Sequence, residues 1–269
     1  MAIDPKQGGG LTFTIDSGPK NAKTGKDGLR YYTWLGVEYP SVTTIRRMAG
    51  IPHGLHQWSM GKVIDRVMSD YEELERRAVA DEKDARKWLR RAATEERDAA
   101  AERGSRIHWA AQAGLPSSEV EEDIRLKVQA YEDWLRAHRV RVLLSERQCW
   151  NLSVGYAGTM DLLADTRMGR FAIDIKSGKG VYSEHALQIE AYARAEFIGE
   201  DDVVDEDATD LLDTDIGRAI LHVADNGWEF YVLNSRHYDR TFEAFKGLLK
   251  FARFDSEMDI PYLFTRLAS

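Results

Sequence analysis

The residues best suited to do chemistry lie between Gly158 and Lys176. There two apolar-rich segments, GTMDLLAD and RFAIDIK, flank a short polar turn. The pattern predicts a β-hairpin turning at Arg167 and Met168. In that register Asp161 stands directly across from Asp174. Successive strand side chains point to opposite faces, so Asp174 and Lys176 share one face while Phe171, Ile173 and Ile175 take the other. Two facing carboxylates repel unless a cation joins them. Hard oxygen donors with coordination positions to spare suit Mg²⁺ or Mn²⁺, which retain waters and phosphate oxygens. Such ions supply what phosphodiester hydrolysis needs: charge neutralisation, an activated water and a stabilised leaving oxygen. A lysine beside bound cations should have its pKa lowered and so relay a proton more readily.

Three more polar residues sit where this hairpin could meet them. His108 ends the segment Gly104-Ser105-Arg106-Ile107-His108 on a helix that precedes the hairpin. Gln188 and Tyr192 are four residues apart, hence on one face of the helix that follows it.

The elements that must hold these groups can be read along the chain. LTFTID (11–16) and LRYYTWLGVEY (29–39) are expected as strands around a Gly- and Lys-rich surface turn. Gly25-Lys26 is not a phosphate loop, because Asp27 stands where Ser or Thr should follow. Ser41 is positioned to cap a short helix, VTTIRRMA, stopped by Gly50 and Pro52. From Leu55 to Ala113 the pattern is helical and heavily charged, enough for two or three helices, with Lys87, Arg90 and Arg91 around Trp88. A further helix from Ser118 to His138 carries Val120, Ile124, Val128, Tyr131 and Leu135 at helical spacing. Then the period changes: strands over 140–150, 154–165 and 170–176, a helix over 183–198, strands over 219–224 and 228–234, and a last helix over 236–254. This order predicts an α/β or α+β core, with helices covering a mixed sheet.

Composition bounds the setting. The chain has 269 residues with 37 Lys+Arg against 45 Asp+Glu, a formal net charge of −8. That excess argues against a general nucleic-acid binder, but ten of the acidic residues fall between Glu196 and Asp215, where there is no Lys or Arg. The stretch lacks the alternation and central glycine of a calcium loop and is expected to be a solvated excursion. No apolar run is long enough for a membrane span and the N-terminus has no export pattern, so a cytoplasmic protein is expected. One cysteine, Cys149, cannot supply a disulfide framework or a four-cysteine metal site.

Taken in order, Gly104 to His108, Gly158 to Asp161, Asp174 to Lys176 and Gln188 to Tyr192 resemble the G-[S/T]-x-x-H, G-x-x-D, D-x-K and Q-x-x-x-Y signature of RecB-like nucleases in the PD-(D/E)XK superfamily. The four motifs span about a third of the chain. Tyr39-Pro40-Ser41-Val42-Thr43-Thr44-Ile45, followed by Trp58, is similar to the lead-in of phage-encoded exonucleases of this family and their mitochondrial relatives.

The resemblance implies a restriction-endonuclease-like core over residues 116–269, preceded by a β-hairpin and helical region over 1–115. It implies that His108, Asp161 and Asp174 ligate one or two Mg²⁺ or Mn²⁺ ions together with the carbonyl of Ile175. Lys176 would orient or deprotonate the attacking water, and Gln188 and Tyr192 would hold the lysine and the DNA near the metals. Arg103, Arg106, Ser177 and Lys179 are the candidate DNA contacts. The histidine is expected to ligate as neutral imidazole, with activity falling below about pH 6.5. The family often places a Glu one helical turn after this histidine, and here the place holds Gln112, which leaves an extra carboxylate ligand in doubt. Iron–sulfur relatives are poor guides, since the cysteines for a cluster are missing. The function implied is a metal-dependent DNA exonuclease of phage or prophage replication, recombination or DNA turnover, with a recombinase or single-strand-binding protein as a possible partner. Tyr31, Tyr32, Trp34 and Trp58 are aromatics available for base stacking. A structure-selective endonuclease using the same site, or a DNA-binding accessory protein without activity, are the alternatives.

Overall fold

The computed structural model describes residues 22–25, 29–47, 53–212 and 215–257. Its N-terminal part is a three-stranded antiparallel sheet of β1 (Ala22–Thr24), β2 (Arg30–Trp34) and β3 (Val37–Pro40). The single strand expected over 29–39 is therefore a hairpin. Leu35 and Gly36 both adopt positive φ, 47° and 78°, as a two-residue hairpin turn requires. Ala22–Thr24, expected within a surface turn, is instead paired with β2. The LTFTID segment and the Gly50–Pro52 helix stop lie outside the described residues. Ser41 Oγ accepts the N–H of Thr44 at 3.0 Å, capping α1 (Val42–Arg47) as its sequence predicts.

A charged helical layer follows, made of α2 (His53–Ser69), α3 (Tyr71–Ala80) and α4 (Glu82–Ala113). Its centre is Trp88, with the guanidinium groups of Arg66 and Arg77 at 5.2 and 5.3 Å from the ring centroid. Arg66 also donates to the Trp88 carbonyl and to Glu95. At 1.5 Å per residue α4 is ~48 Å long. It is buried at Ala85 and Ala92 in this layer and again at Ile107 and Ala110, so one rigid rod joins the helical layer to the main sheet.

The main sheet forms from α5 (Glu122–His138) onward: β4 (Arg141–Asn151), β5 (Tyr156–Thr166), β6 (Gly169–Lys176), α6 (Ser183–Ala193), β7 (Phe197–Glu200), β8 (Val203–Val204), α7 (Glu206–Thr209), β9 (Gly217–Ala224), β10 (Gly227–Val232) and α8 (Tyr238–Glu257). The seven strands are ordered β10-β9-β6-β5-β4-β7-β8. Only β6 and β9 run parallel, so the sheet is mixed, as the element order predicts. One face carries α1, α6 and α8, whose Ile45, Ile189, Phe245 and Leu249 pack on Met160, Leu163 and Ala172. The other carries α5 and the end of α4, whose Ile107, Ile124, Val128 and Trp134 pack on Ile173, Ile175 and Leu221. Burying each such side chain contributes about 1.5–3 kcal/mol.

Two boundaries differ from expectation. The helix expected to reach Ile198 ends at Ala193, because Phe197 and Ile198 pair with Trp150 and Cys149 of β4. Phe197 is drawn there by aromatic packing: it lies 4.8 Å from Trp34, which lies 4.8 Å from Trp150. The acidic stretch after Glu196 is not simply an excursion either. It holds β7, β8 and α7, with Asp205 accepting from Ala208 N at the cap of α7 and paired with Arg147. Among the described residues no helix is long and apolar enough to cross a membrane.

Candidate active site

The β5–β6 hairpin follows the expected register, from Thr166 opposite Gly169 to Leu162 opposite Ile173. At the next rung the ladder opens. Asp161 Oδ2 accepts the N–H of Ile175 at 2.7 Å, so a carboxylate takes the place of a strand carbonyl. Alternation also slips here: Met160 packs on the α6 face and Leu162, two residues on, packs on the α5 face. Asp174 is wholly buried and ion-paired with Lys176, whose Nζ stands 2.6 Å from Oδ2. Burial raises the carboxyls of both aspartates above their ordinary range. The nearby cations, His108 and Lys176 for Asp161 and Lys176 for Asp174, pull them partly back.

His108 reaches this point from α4. Its Nδ1 lies 2.9 Å from Glu146 Oε1 and 3.7 Å from Asp161 Oδ2, and its Nε2 lies 3.1 Å from the Ile175 carbonyl oxygen. Both ring nitrogens thus face acceptors, an arrangement that suits imidazolium. Burial pushes the imidazole down, but Asp161 and Glu146 outweigh it and hold the pKa up at about 9. The neutral imidazole expected from sequence therefore requires something to displace a proton. A divalent cation drawn to the same nitrogen and carbonyl oxygen would do so.

Glu146 is the residue that sequence reasoning missed. It sits between Ser145, opposite Leu162, and Arg147, opposite Met160, hence across β4 from Asp161. Its φ is +50°, an uncommon conformation for a residue with a Cβ and one that concentrates at functional sites. Ligand atoms of His108, Glu146 and Asp161 all lie within 4.8 Å of one another. Gln112, where an extra carboxylate ligand was in doubt, is exposed on α4, and the carboxylate that stands beside His108 is on β4.

Gln188 and Tyr192 are both buried on α6, and Gln188 Nε2 donates to the Tyr192 hydroxyl at 3.1 Å. The tyrosine explains a motif glycine. A Cβ on Gly158 would meet the Tyr192 ring at 2.5 Å, so only glycine lets α6 sit this close to β5. His185 lies one turn before Gln188 and is buried. Its Nδ1 accepts the Tyr182 N–H at 3.1 Å. Burial, then the Lys176 charge, lowers its pKa to about 4.

Of the four candidate DNA contacts, Arg103, Ser177 and Lys179 line one cleft of about 810 Å³ beside this cluster. Arg106 does not join them: its guanidinium is paired with Asp123 at the start of α5. Of the candidate stacking aromatics, Trp58 lines the same cleft, whereas Tyr32 and Trp34 are in the core, 1% and 5% exposed.

A profile of the PD-(D/E)XK nuclease superfamily matches residues 39–260, nearly the whole of the structure just described. The chain belongs to the PD-(D/E)XK nuclease superfamily. No curated protein matches this PD-(D/E)XK chain. Among solved structures it is similar to SSO0001 at 15% identity, covering 60% of this chain and 79% of that one with a TM-score of 0.25, a likeness too distant to carry an argument. PD-(D/E)XK nucleases typically use divalent metal ions, and a donor set that fits one is present here: the His/Glu/Asp group of His108, Glu146 and Asp161, with the Ile175 carbonyl 3.1 Å from the histidine.

Proposed function

We propose that this PD-(D/E)XK nuclease hydrolyses DNA phosphodiester bonds from a free end, with one or two Mg²⁺ or Mn²⁺ ions held by His108, Glu146, Asp161, Asp174 and the Ile175 carbonyl. The observation that carries the reading is the convergence of His108, Glu146 and Asp161, whose ligand atoms lie within 4.8 Å of one another, beside Asp174, a fully buried carboxylate paired with Lys176 at 2.6 Å. Gathering three carboxylates at one partly buried point is costly, and a site that binds cations and phosphate is the use that offsets it. When bound, the ions lower the pKa of water and neutralise the phosphate.

The chain's own groups do the rest. Lys176, tethered by Asp174, aims its ammonium at the attacking water and the phosphate oxygens. Asp161 locks the backbone of Ile175 and so fixes the direction of that carbonyl. Gln188 and Tyr192 form a buried hydrogen-bonded pair behind the strand and hold its end in place. The division into a lead-in over 1–115 and a catalytic core over 116–269 belongs to the same proposal, with His108 at its seam. A phage or prophage role rests on the lead-in around Tyr39–Ile45 alone.

The test is to incubate the purified protein with Mg²⁺ or Mn²⁺ and end-labelled linear DNA, single- and double-stranded, beside closed circular DNA. Degradation of linear but not circular DNA is expected. Cutting of circles would instead assign an endonuclease, and binding without any metal-dependent cleavage would overturn the nuclease reading.

A further inference from the structure

The cleft beside the metal cluster has a chemistry of its own. It is walled by Trp58 from α2, by Arg97, Ala100 and Arg103 from α4, by Lys127 from α5, and by the segment from Ser177 to Tyr182 that leads from β6 into α6. Four basic side chains, Arg97, Arg103, Lys127 and Lys179, face two acidic ones, Glu96 and Glu184, so this is a cationic spot on a chain of net charge −8. Lys127 Nζ fixes the wall by donating to the Ser177 carbonyl at 2.9 Å. Lys179 Nζ lies 6.0 Å from the Trp58 ring centroid. Arg103 makes no ion pair among the described residues. Tyr182 lines the cleft with its ring 54% exposed, one edge contact going to His185 at 5.6 Å.

The cleft adjoins the proposed active site at both ends of its wall. Ser177 directly follows Lys176, and Arg103 precedes His108 by five residues, ~7.5 Å along α4. The cleft volume of about 810 Å³ suits one or two nucleotides. Aromatic faces interleaved with backbone-reading cations are the chemistry that holds unstacked single strands.

We propose that this cleft is a subsite for unstacked nucleotides of a single-stranded DNA end, with bases stacked on Trp58 and Tyr182 and phosphates met by Arg103 and Lys179. It rests on the reading of the protein as a DNA hydrolase and adds the strandedness of its substrate. The full-length protein in EDTA, where no cleavage intervenes, is titrated against a fluorescein-labelled twelve-residue oligothymidylate and a blunt duplex of the same length. Single-strand binding at least tenfold tighter than duplex binding is expected. Trp58→Ala and Tyr182→Ala should each weaken it by about five-fold or more, on the scale of a lost base stack, with Trp58→Phe restoring most of the loss. Abasic substitution of the terminal two nucleotides should weaken binding to the unaltered protein to the same extent, which no folding defect can mimic. Equal affinity for the duplex, or indifference to both the abasic sites and the aromatic variants, overturns the proposal. Stacking-dependent binding without metal-dependent cleavage of any DNA would retain the subsite and reject the hydrolase.

Discussion

Two carboxylates in this protein are equally buried and opposite in circumstance. Glu190 on α6 is 0% exposed, and so is Asp174 on β6. Glu190 accepts from Arg194 Nε at 2.8 Å and from Arg218 Nε at 3.1 Å. Arg218, itself 4% exposed, stacks over Tyr238 with its guanidinium carbon 4.0 Å from the ring centroid. That network ties α6 to β9 and α8, and every charge in it is answered. Asp174 has one partner, the Lys176 ammonium at 2.6 Å, against the two guanidinium groups on Glu190. Glu190 is fully answered by cations of the scaffold, whereas Asp174 shares its single cation with the proposed site. Both sit within one core, so burial alone distinguishes nothing.

The largest effect that tests this contrast is on Asp174. Asp174→Asn should reduce metal-dependent DNA cleavage at least about a thousand-fold, the equivalent of ~4 kcal/mol of transition-state stabilisation. It should not lower the melting temperature. The sign follows from the raised carboxyl: a group whose folded pKa lies above its unfolded value costs stability once the pH exceeds that unfolded value. At neutral pH the neutral amide removes that cost. A clear loss of stability in Asp174→Asn by thermal melting would remove the distinction from Glu190.

Glu190→Ala is the reverse experiment. It strands the buried Arg218 without its partner, which should cost about 3 kcal/mol by chemical denaturation. Cleavage per folded molecule should be retained well below the midpoint. Replacing Glu190 and Arg218 together by Leu should recover much of the stability, since apolar substitution of a whole buried pair is often neutral.

The same contrast explains how much could be read beforehand. Asp161, Asp174 and Lys176 were legible because one hairpin carries all three and its register follows from a two-residue turn. His108, Gln188 and Tyr192 were legible as motif positions, though not by geometry. Glu146 was not, because its role depends on a left-handed residue in β4 and on which strand lies beside β5. Neither leaves a periodic trace. The Glu190 network joins residues 28 apart in sequence, beyond any local pattern. The fold class followed from element order, whereas the end of α6 did not. An apolar run reads alike as helix or strand until Trp34 and Trp150 claim Phe197.

His108 extends the comparison to a cation. Its nitrogens are fully matched only while it carries two protons. Its folded pKa of about 9 lies above the ordinary value near 6.5. The resulting stabilisation is therefore complete below about 6.5 and lost as pH rises through about 9. Without metal, the melting temperature should fall between pH 7 and 9.5. Apparent Mg²⁺ affinity should rise about tenfold per pH unit up to about 9, because the ion must displace the proton. Calorimetric titration in buffers of different ionisation enthalpy should register close to one proton released per site at pH 7.5. Absence of release would show that His108 is no ligand.

The smallest effects separate the two motif glycines, which a sequence signature treats alike. Gly158→Ala would place a Cβ 2.5 Å from the Tyr192 ring and 3.2 Å from Val42. The ring is wholly enclosed between α6 and β5, so the strain should cost about 1–3 kcal/mol and disturb the Gln188–Tyr192 bond. At Gly104 the added methyl meets only Ser177 Oγ, at 3.6 Å, an ordinary contact. Gly104 lies inside α4, where alanine is favoured by about 1 kcal/mol. Gly104→Ala should therefore hold or raise the melting temperature while Gly158→Ala lowers it. If both lower it alike, then α4 and the segment after Lys176 approach more closely than 3.6 Å allows, and the cleft wall at Ser177 is tighter than its geometry indicates.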